Sequence, residues 1–368
     1  MSATAAVAVE AYKTELQKFP IPEIGPDEGL LEIEVAGVCG TDWEIYGRKS
    51  RGRGLGPLIL GHENVGRIAA VGEEAAERWR VKVGDRVAVE EFIPCGRCRL
   101  CRSGHYRICE MTDSRSNRPF LRYGSVSTSK PPALWGGFSQ YQYLHPNSVV
   151  YPIGPDVPGE LAALFVPISN GIRWVVQEGG ASLGETILVQ GPGQHGLGCV
   201  VAAKEIGIKT IILSGLSQDA GRLEVGKALG ADHTIEVDKE DLVSRVEEIA
   251  GAEMVDMIVD TTPGVTAAIE SALALAAKRG TVILVGSKHG KPVSFMNDTV
   301  VRKELTIRGV RGHDHRSVEP AIEIIKSGRY PLELLSTHQL SLDEVDKALR
   351  LVGERTDPEA IHVNVVPG

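Results

Sequence analysis

With 368 residues, 42% hydrophobic and 24% charged, the chain has an ordinary globular composition over more length than one core takes, and about two domains are expected. Its formal net charge of −8 argues against a nucleic-acid or anionic-membrane partner. No apolar run is long enough to span a membrane and "MSATAAVAVEAYKTELQ" has no signal-peptide pattern, so a cytoplasmic protein with a small-molecule partner is expected.

The first third reads as strands. "LLEIEVAGVCG" (30–40) alternates in character, and "VGRIAAVG" (65–72) is a β-branched run between glycines. "VKVGDRVAVEEF" (81–92) sets Gly84-Asp85 between two short apolar runs, which predicts a hairpin. Frequent glycine and proline suit a small barrel-like β domain. Residues 110–137 read as one long loop, functional or mobile by its length, before strand-like "FSQYQYLHPNSVVYPI".

From about residue 156 the rhythm changes to "ELAALFVPISNGIRWVVQEG" as helix, "ETILVQG" as buried strand and "GLGCVVAAKEIG" as helix. The alternation continues through "KTIILSG", "AGRLEVGKALGAD", "MVDMIVDTT", "AAIESALALA" and "GTVILVGS", which predicts an α/β region with a parallel, doubly wound sheet. The last segment carries one or two helices and ends in "IHVNVVP", a strand expected to return to the first domain. The expected boundaries are 1–155 with a cysteine lobe at 93–112, then 156–312, then 313–368.

Gly191, Gly193 and Gly196 form G-x-G-x-x-G between an apolar strand and a helix, the context of a dinucleotide cradle. Gly191 permits the turn, Gly193 lets backbone approach a pyrophosphate, and Gly196 lets helix and strand pack. Gln194 and His195 lie within that loop, and His195 either touches the pyrophosphate or points outward. At the end of the next strand, Gly215 is flanked by Ser214, Leu216 and Ser217, with no carboxylate for the adenosine ribose. Arg222 lies on the following helix. NADP is thus not disfavoured, yet no arginine beside Gly215 selects it, and the expectation leans to NAD.

Six cysteines are few for this length, and four crowd into residues 95–109. Cys95, Cys98, Cys101 and Cys109 run C-x2-C-x2-C-x7-C, the donor set of a closed tetrahedral zinc site. An iron–sulfur cluster is the rival, but no proline follows the fourth cysteine and no second cluster motif exists. With all four positions taken by thiolates, this zinc is structural. Cys39 in "GVCGTDWE" and His62 in "GHENVG" are a second pair of potential ligands.

Together "GVCGTD", "GHE", "VGDRV", the four-cysteine run and "GPGQHGLG" resemble, in order and spacing, the zinc-dependent medium-chain dehydrogenases, the alcohol and polyol dehydrogenase superfamily. The resemblance covers essentially the whole chain. It implies a GroES-like, β-rich catalytic domain built from both ends of the chain around a Rossmann cofactor domain. It further implies a catalytic zinc, hydride transfer between an alcohol carbon and NAD or NADP, and assembly as a homodimer or homotetramer. Carried over by position, Cys39 and His62 are zinc ligands and Glu63 stands near the metal or binds it. Thr41 relays the alcohol proton, and Asp42 orients the zinc-binding histidine.

Two positions depart from the family. Glu44 replaces a histidine that passes the proton to solvent; a carboxylate can accept it, with a changed pH profile. Val166 stands where a Cys, Glu or Asp supplies the third zinc ligand, and Ser169 and Asn170 beside it fall in the segment bordering the nicotinamide. Either Cys39, His62 and Glu63 hold the zinc with water in the fourth place, or the catalytic zinc is weak or absent. A catalytically silent nucleotide-binding protein with only the structural zinc is the alternative to an enzyme. Trp43, Trp135 and Phe138, with Val166, are candidates for the substrate cleft, although packing explains the rings nearly as well. Cys199 reads as a core thiol. "RGHDHR" (311–316) reads as a solvated hinge rather than a second metal site.

Overall fold

The computed structural model describes residues 1–47, 56–112 and 121–368; residues 113–120 of the expected 110–137 loop lie outside the described residues. The chain separates into two compact units, Met1–Phe165 with Ser336–Gly368, and Val166–Leu335. These divisions fall later than the changes of rhythm at 155/156 and 312/313. Packing is the reason: helix Gly159–Ala162 lies against strand Gly29–Gly37, whereas helix His315–Ser327 lies against Ile172–Glu178.

In the first unit a seven-stranded sheet runs Ser336–Leu340, His362–Val365, Gly29–Gly37, Glu63–Val71, Arg86–Val89 and Val150–Pro152, with Tyr141–Leu144 also paired to Gly29–Gly37. Strand Gly29–Gly37 shows the two-residue period: Leu31 and Ile33 are buried while Glu32 is exposed. Gly37 pairs with Glu63 on one side and Asn364 on the other, so the first and last thirds of the chain meet at one register point. The hairpin expected at Gly84-Asp85 is instead a turn, with Gly84 at φ +90°, after helix Glu73–Trp79. Only Arg86–Val89 beyond it is strand.

The second unit has a six-stranded parallel sheet in the order His233–Glu236, Thr210–Gly215, Thr186–Gln190, Val255–Asp260, Ala276–Leu284, Thr306–Gly309. That is the doubly wound Rossmann order, with the chain reversing direction across the sheet beside the central strand. Ile187, Leu188 and Val189 are fully buried, because helices cover both faces and leave no polar side to alternate with. Helix Gln194–Glu205 crosses Phe165–Gly171 closely: a Cβ on Gly198 would stand 2.1 Å from the Pro167 carbonyl oxygen. Among the described residues no helix is long and apolar enough to cross a membrane.

Candidate metal and cofactor sites

Cys39 caps the short helix Gly40–Tyr46, and Asp42 in its first turn accepts the Cys39 backbone N–H on Oδ2 at 3.0 Å. The other oxygen, Oδ1, accepts the Gly61 N–H at 3.1 Å and stands 3.0 Å from His62 Nδ1. One fully buried carboxylate therefore ties the Cys39 loop to the His62 loop and leaves His62 Nε2 as the nitrogen free to bind a metal. Glu63 begins the adjoining strand, and one donor atom each of Cys39, His62 and Glu63 lies within 4.8 Å of the other two, all buried. Burial, then Glu63, pushes the Cys39 thiol pKa up. Burial alone would lower that of His62, but Asp42 and Glu91 overcome it and hold the imidazolium well above its usual range. Thiol, imidazole and carboxylate buried this close together are costly unless a cation joins them, and the donor set fits zinc.

Thr41 Oγ1 is 3.8 Å from Cys39 Sγ, and Glu44 is partly exposed on the same helix. An imidazole and a carboxylate that the sequence motifs do not include complete the surroundings. His362 Nε2 stands 3.3 Å from Glu63 Oε2, and Glu91 Oε2 stands 3.7 Å from His62 Nε2. The only advance signals were "IHVNVVP" in the last strand and the doubled acid of "VEEF" before the lobe.

Cys95, Cys98, Cys101 and Cys109 bring their sulfurs within 4.8 Å of one another. Backbone N–H groups of Cys98, Cys101 and Met111 donate to Cys95, Cys98 and Cys109 sulfur at 3.4 Å, the arrangement that stabilises thiolates. At Cys109 burial raises the pKa, yet hydrogen bonds that include the Cys95 and Met111 N–H groups bring it down to about 6. The lobe fits a closed zinc site.

In the second unit Gly191 has φ +100°, and a Cβ on Gly196 would stand 1.9 Å from the Gly191 oxygen. Gly193 caps helix Gln194–Glu205 and nothing lies within 4 Å of where its Cβ would be, so the free N–H end of the helix is open to a pyrophosphate. Gln194 Oε1 is buried without a hydrogen-bond partner, an orphan that a bound dinucleotide can satisfy. Beyond Gly215, Ser217 donates its N–H and hydroxyl to Asp238 at 2.7 and 2.5 Å. The strand end thus has a carboxylate beside it after all, from the turn that follows strand His233–Glu236. Arg222 is buried in helix Ala220–Leu229.

His195 turns onto Asn170 (Nδ1 to Nδ2, 3.2 Å) and the edge of Trp174, while Asn170 Oδ1 meets His313 Nδ1 at 3.2 Å. The expected solvated hinge at 311–316 is corrected here: His313 is 1% exposed and Asp314 0%. Arg173 donates to the His313 carbonyl at 3.0 Å and Trp174 Nε1 to that of Gly312 at 3.0 Å, both from the π-helical segment Ile172–Glu178. Val166 is buried near the start of helix Phe165–Gly171, and its carbonyl accepts the Ser169 hydroxyl. Trp135 and Phe138 are also corrected from cleft to core. Both are at most 2% exposed, and Trp135 packs between Tyr123 and Tyr143. Trp43 packs on Tyr12, Tyr46 and Gly353. Cys199 is fully buried in its helix.

Residues 25–155 match the alcohol dehydrogenase GroES-like domain family, and residues 196–327 the zinc-binding dehydrogenase family. The chain is 38% identical to the probable alcohol dehydrogenase of Mycobacterium tuberculosis over 96% of its own length and 95% of that protein. It is 32% identical to sorbitol dehydrogenase of Bacillus subtilis, over 94% and 92%. The crystal structure of an alcohol dehydrogenase from Thermotoga maritima covers 100% of both chains at TM-score 0.87 and 27% identity. A GroES-like domain joined to a Rossmann domain, with thiolate and imidazole donors, defines a zinc-dependent oxidoreductase. The chain belongs to the zinc-dependent medium-chain dehydrogenase/reductase superfamily, as an NAD(P)-dependent enzyme acting on alcohols.

Proposed function

We propose that Cys39, His62 and Glu63 hold a catalytic zinc with no contribution from Val166, and that Cys95, Cys98, Cys101 and Cys109 hold a structural one. The observation that carries this reading is the buried three-donor cluster with Asp42 on the far nitrogen of His62. Zinc bound there polarises a hydroxyl and makes it more acidic, and a nicotinamide supplies the hydride acceptor. The residues of the chain do the rest. Asp42 holds the His62 ring in one orientation, Thr41 accepts the alcohol proton through its hydroxyl, and Glu44 passes it to solvent.

Gly191, Gly193, Gln194 and Gly196 cradle the pyrophosphate, and Asn170, fixed between His195 and His313, borders the nicotinamide. NAD is the favoured cofactor. Asp238, held by Ser217 where the adenosine ribose ends, accepts hydroxyls and repels a 2′-phosphate. Small alcohols or polyols and their carbonyl partners are the substrates, in a cytoplasmic homodimer or homotetramer.

Zinc content and turnover test the proposal together. Two zinc ions per chain, with NAD reduced by members of an alcohol panel and activity lost on chelation, are expected. One zinc per chain, rising to two in Val166→Glu, would show that the valine costs the catalytic ion. Dinucleotide binding without turnover would establish the silent protein instead.

A further inference from the structure

Between the two metal sites lies a buried network of charges that neither donor set accounts for. Glu90, Glu91, Arg107 and Arg122 are 0%, 6%, 6% and 8% exposed. Arg107 sits in the turn Tyr106–Ile108 that leads into Cys109, so the folded lobe sets its backbone position. Its Nη1 donates to Glu90 Oε1 at 2.7 Å and its Nη2 to Glu91 Oε1. Arg122 donates to the other oxygen of Glu91. The Phe92 ring is flanked by both guanidinium groups, at 4.6 and 5.2 Å from its centroid.

Both oxygens of Glu91 are therefore occupied, which makes it a poor metal ligand, yet Oε2 stands 3.7 Å from His62 Nε2. With Asp42 on Nδ1, that is the metal-facing side of the ring. Two positive and two negative charges balance, but buried ion networks are weak contributors to stability, and an apolar cluster of equal volume would stabilise as well. What a rigid arginine–glutamate–arginine arrangement does supply is position, because the planar fork fixes the carboxylate in direction as well as distance.

We propose that Glu91 is a positioning residue for the catalytic metal site, and that Arg107 makes the four-cysteine lobe part of its support. The lobe fixes Arg107, Arg107 with Arg122 fixes Glu91, and Glu91 walls the space beside His62 Nε2 in which the metal sits. This rests on the reading of Cys39, His62 and Glu63 as the zinc site.

The test uses full-length, zinc-loaded protein and measures the zinc affinity of each site by competition with a chelator. Glu91→Gln and Arg107→Lys are expected to keep the lobe zinc and to bind the second zinc about 10- to 100-fold more weakly, the usual cost of disturbing groups behind metal ligands. Arg122→Lys, outside the lobe, should do the same and serves if Arg107→Lys does not fold. Tyr151→Phe is the control, since its hydroxyl meets Tyr106 at 3.1 Å at the end of the network away from Glu91. Unchanged affinity in Glu91→Gln overturns the proposal, as does equal weakening in Tyr151→Phe, which would mean general loosening. Unchanged affinity in Arg107→Lys alone overturns the part played by the lobe. Wild-type protein with one zinc per chain fails differently: it removes the metal-site reading, and the proposal with it.

Discussion

His362, from the last strand of the chain, meets Glu63, the first residue of the strand that follows His62, at 3.3 Å with both side chains fully buried. Gly37 lies between their strands, and a Cβ there would stand 2.5 Å from Glu63 Oε2 and 2.8 Å from His362 Nε2. The imidazole stands beside one carboxylate oxygen and the absent Cβ of Gly37 leaves both side chains their space, so on the proposed reading the two positions support Glu63 as a metal ligand. Gly37→Ala and His362→Ala are therefore expected to lower zinc affinity at this site by about 10- to 100-fold. Chelator competition measures it. Unchanged affinity in both would separate Glu63 from metal binding.

The pH dependence of zinc uptake has a definite sign. Without metal, burial and Glu63 keep Cys39 protonated, while Asp42 and Glu91 keep His62 protonated despite its burial. Both shifts favour the protonated form, so zinc must displace a proton from each group. Apparent affinity should rise with pH through the neutral range, by about 100-fold per unit when two protons leave together. Isothermal titration in buffers of different ionisation enthalpy counts the protons; no proton release would contradict the assignment.

On the proposed reading, cofactor choice turns on Asp238. Replacing Asp238 by Asn leaves a hydrogen-bond acceptor for Ser217 but removes the charge proposed to face a 2′-phosphate. The ratio of NAD to NADP affinity should fall by about tenfold, equivalent to about 1.4 kcal/mol. Fluorescence titration with each dinucleotide reads it without turnover, and an unaltered ratio would mean that Asp238 does not face the ribose.

Stability of the cofactor-binding unit depends on the contact of Gly198 with Pro167. Since the added Cβ of Gly198→Ala would stand 2.1 Å from a backbone oxygen, no side-chain rotation relieves it. A loss of about 1–3 kcal/mol is expected from overpacking, read as a lower urea midpoint. Gly193→Ala, where a Cβ meets nothing within 4 Å, should leave the midpoint almost unchanged and act on dinucleotide affinity instead.

Much of this protein was legible along the chain, for a physical reason. The donors of the proposed zinc lobe and of the proposed phosphate-binding turn are close in sequence, so the spacing of Cys95, Cys98, Cys101 and Cys109 and of Gly191, Gly193 and Gly196 could be read directly along the chain. The strand and helix periods likewise revealed a β-rich region and a parallel doubly wound sheet. Asp42 could be linked to His62 only through the family resemblance, and the structure shows the bond at 3.0 Å.

What the chain order could not show is which distant strands become neighbours. The period of a strand says which face a residue takes, not what lies across from it. Hence Glu63 with His362, Ser217 with Asp238, and His62 with Glu91 emerged only from the fold. For the same reason Trp135 and Phe138 read as cleft rings yet fill the core, and His313 and Asp314 read as hinge yet are buried. The ligand types of this enzyme were written locally. The surroundings of those ligands, from Asp42 and Glu91 beside His62 to Asp238 beside Ser217, were decided by tertiary contacts alone.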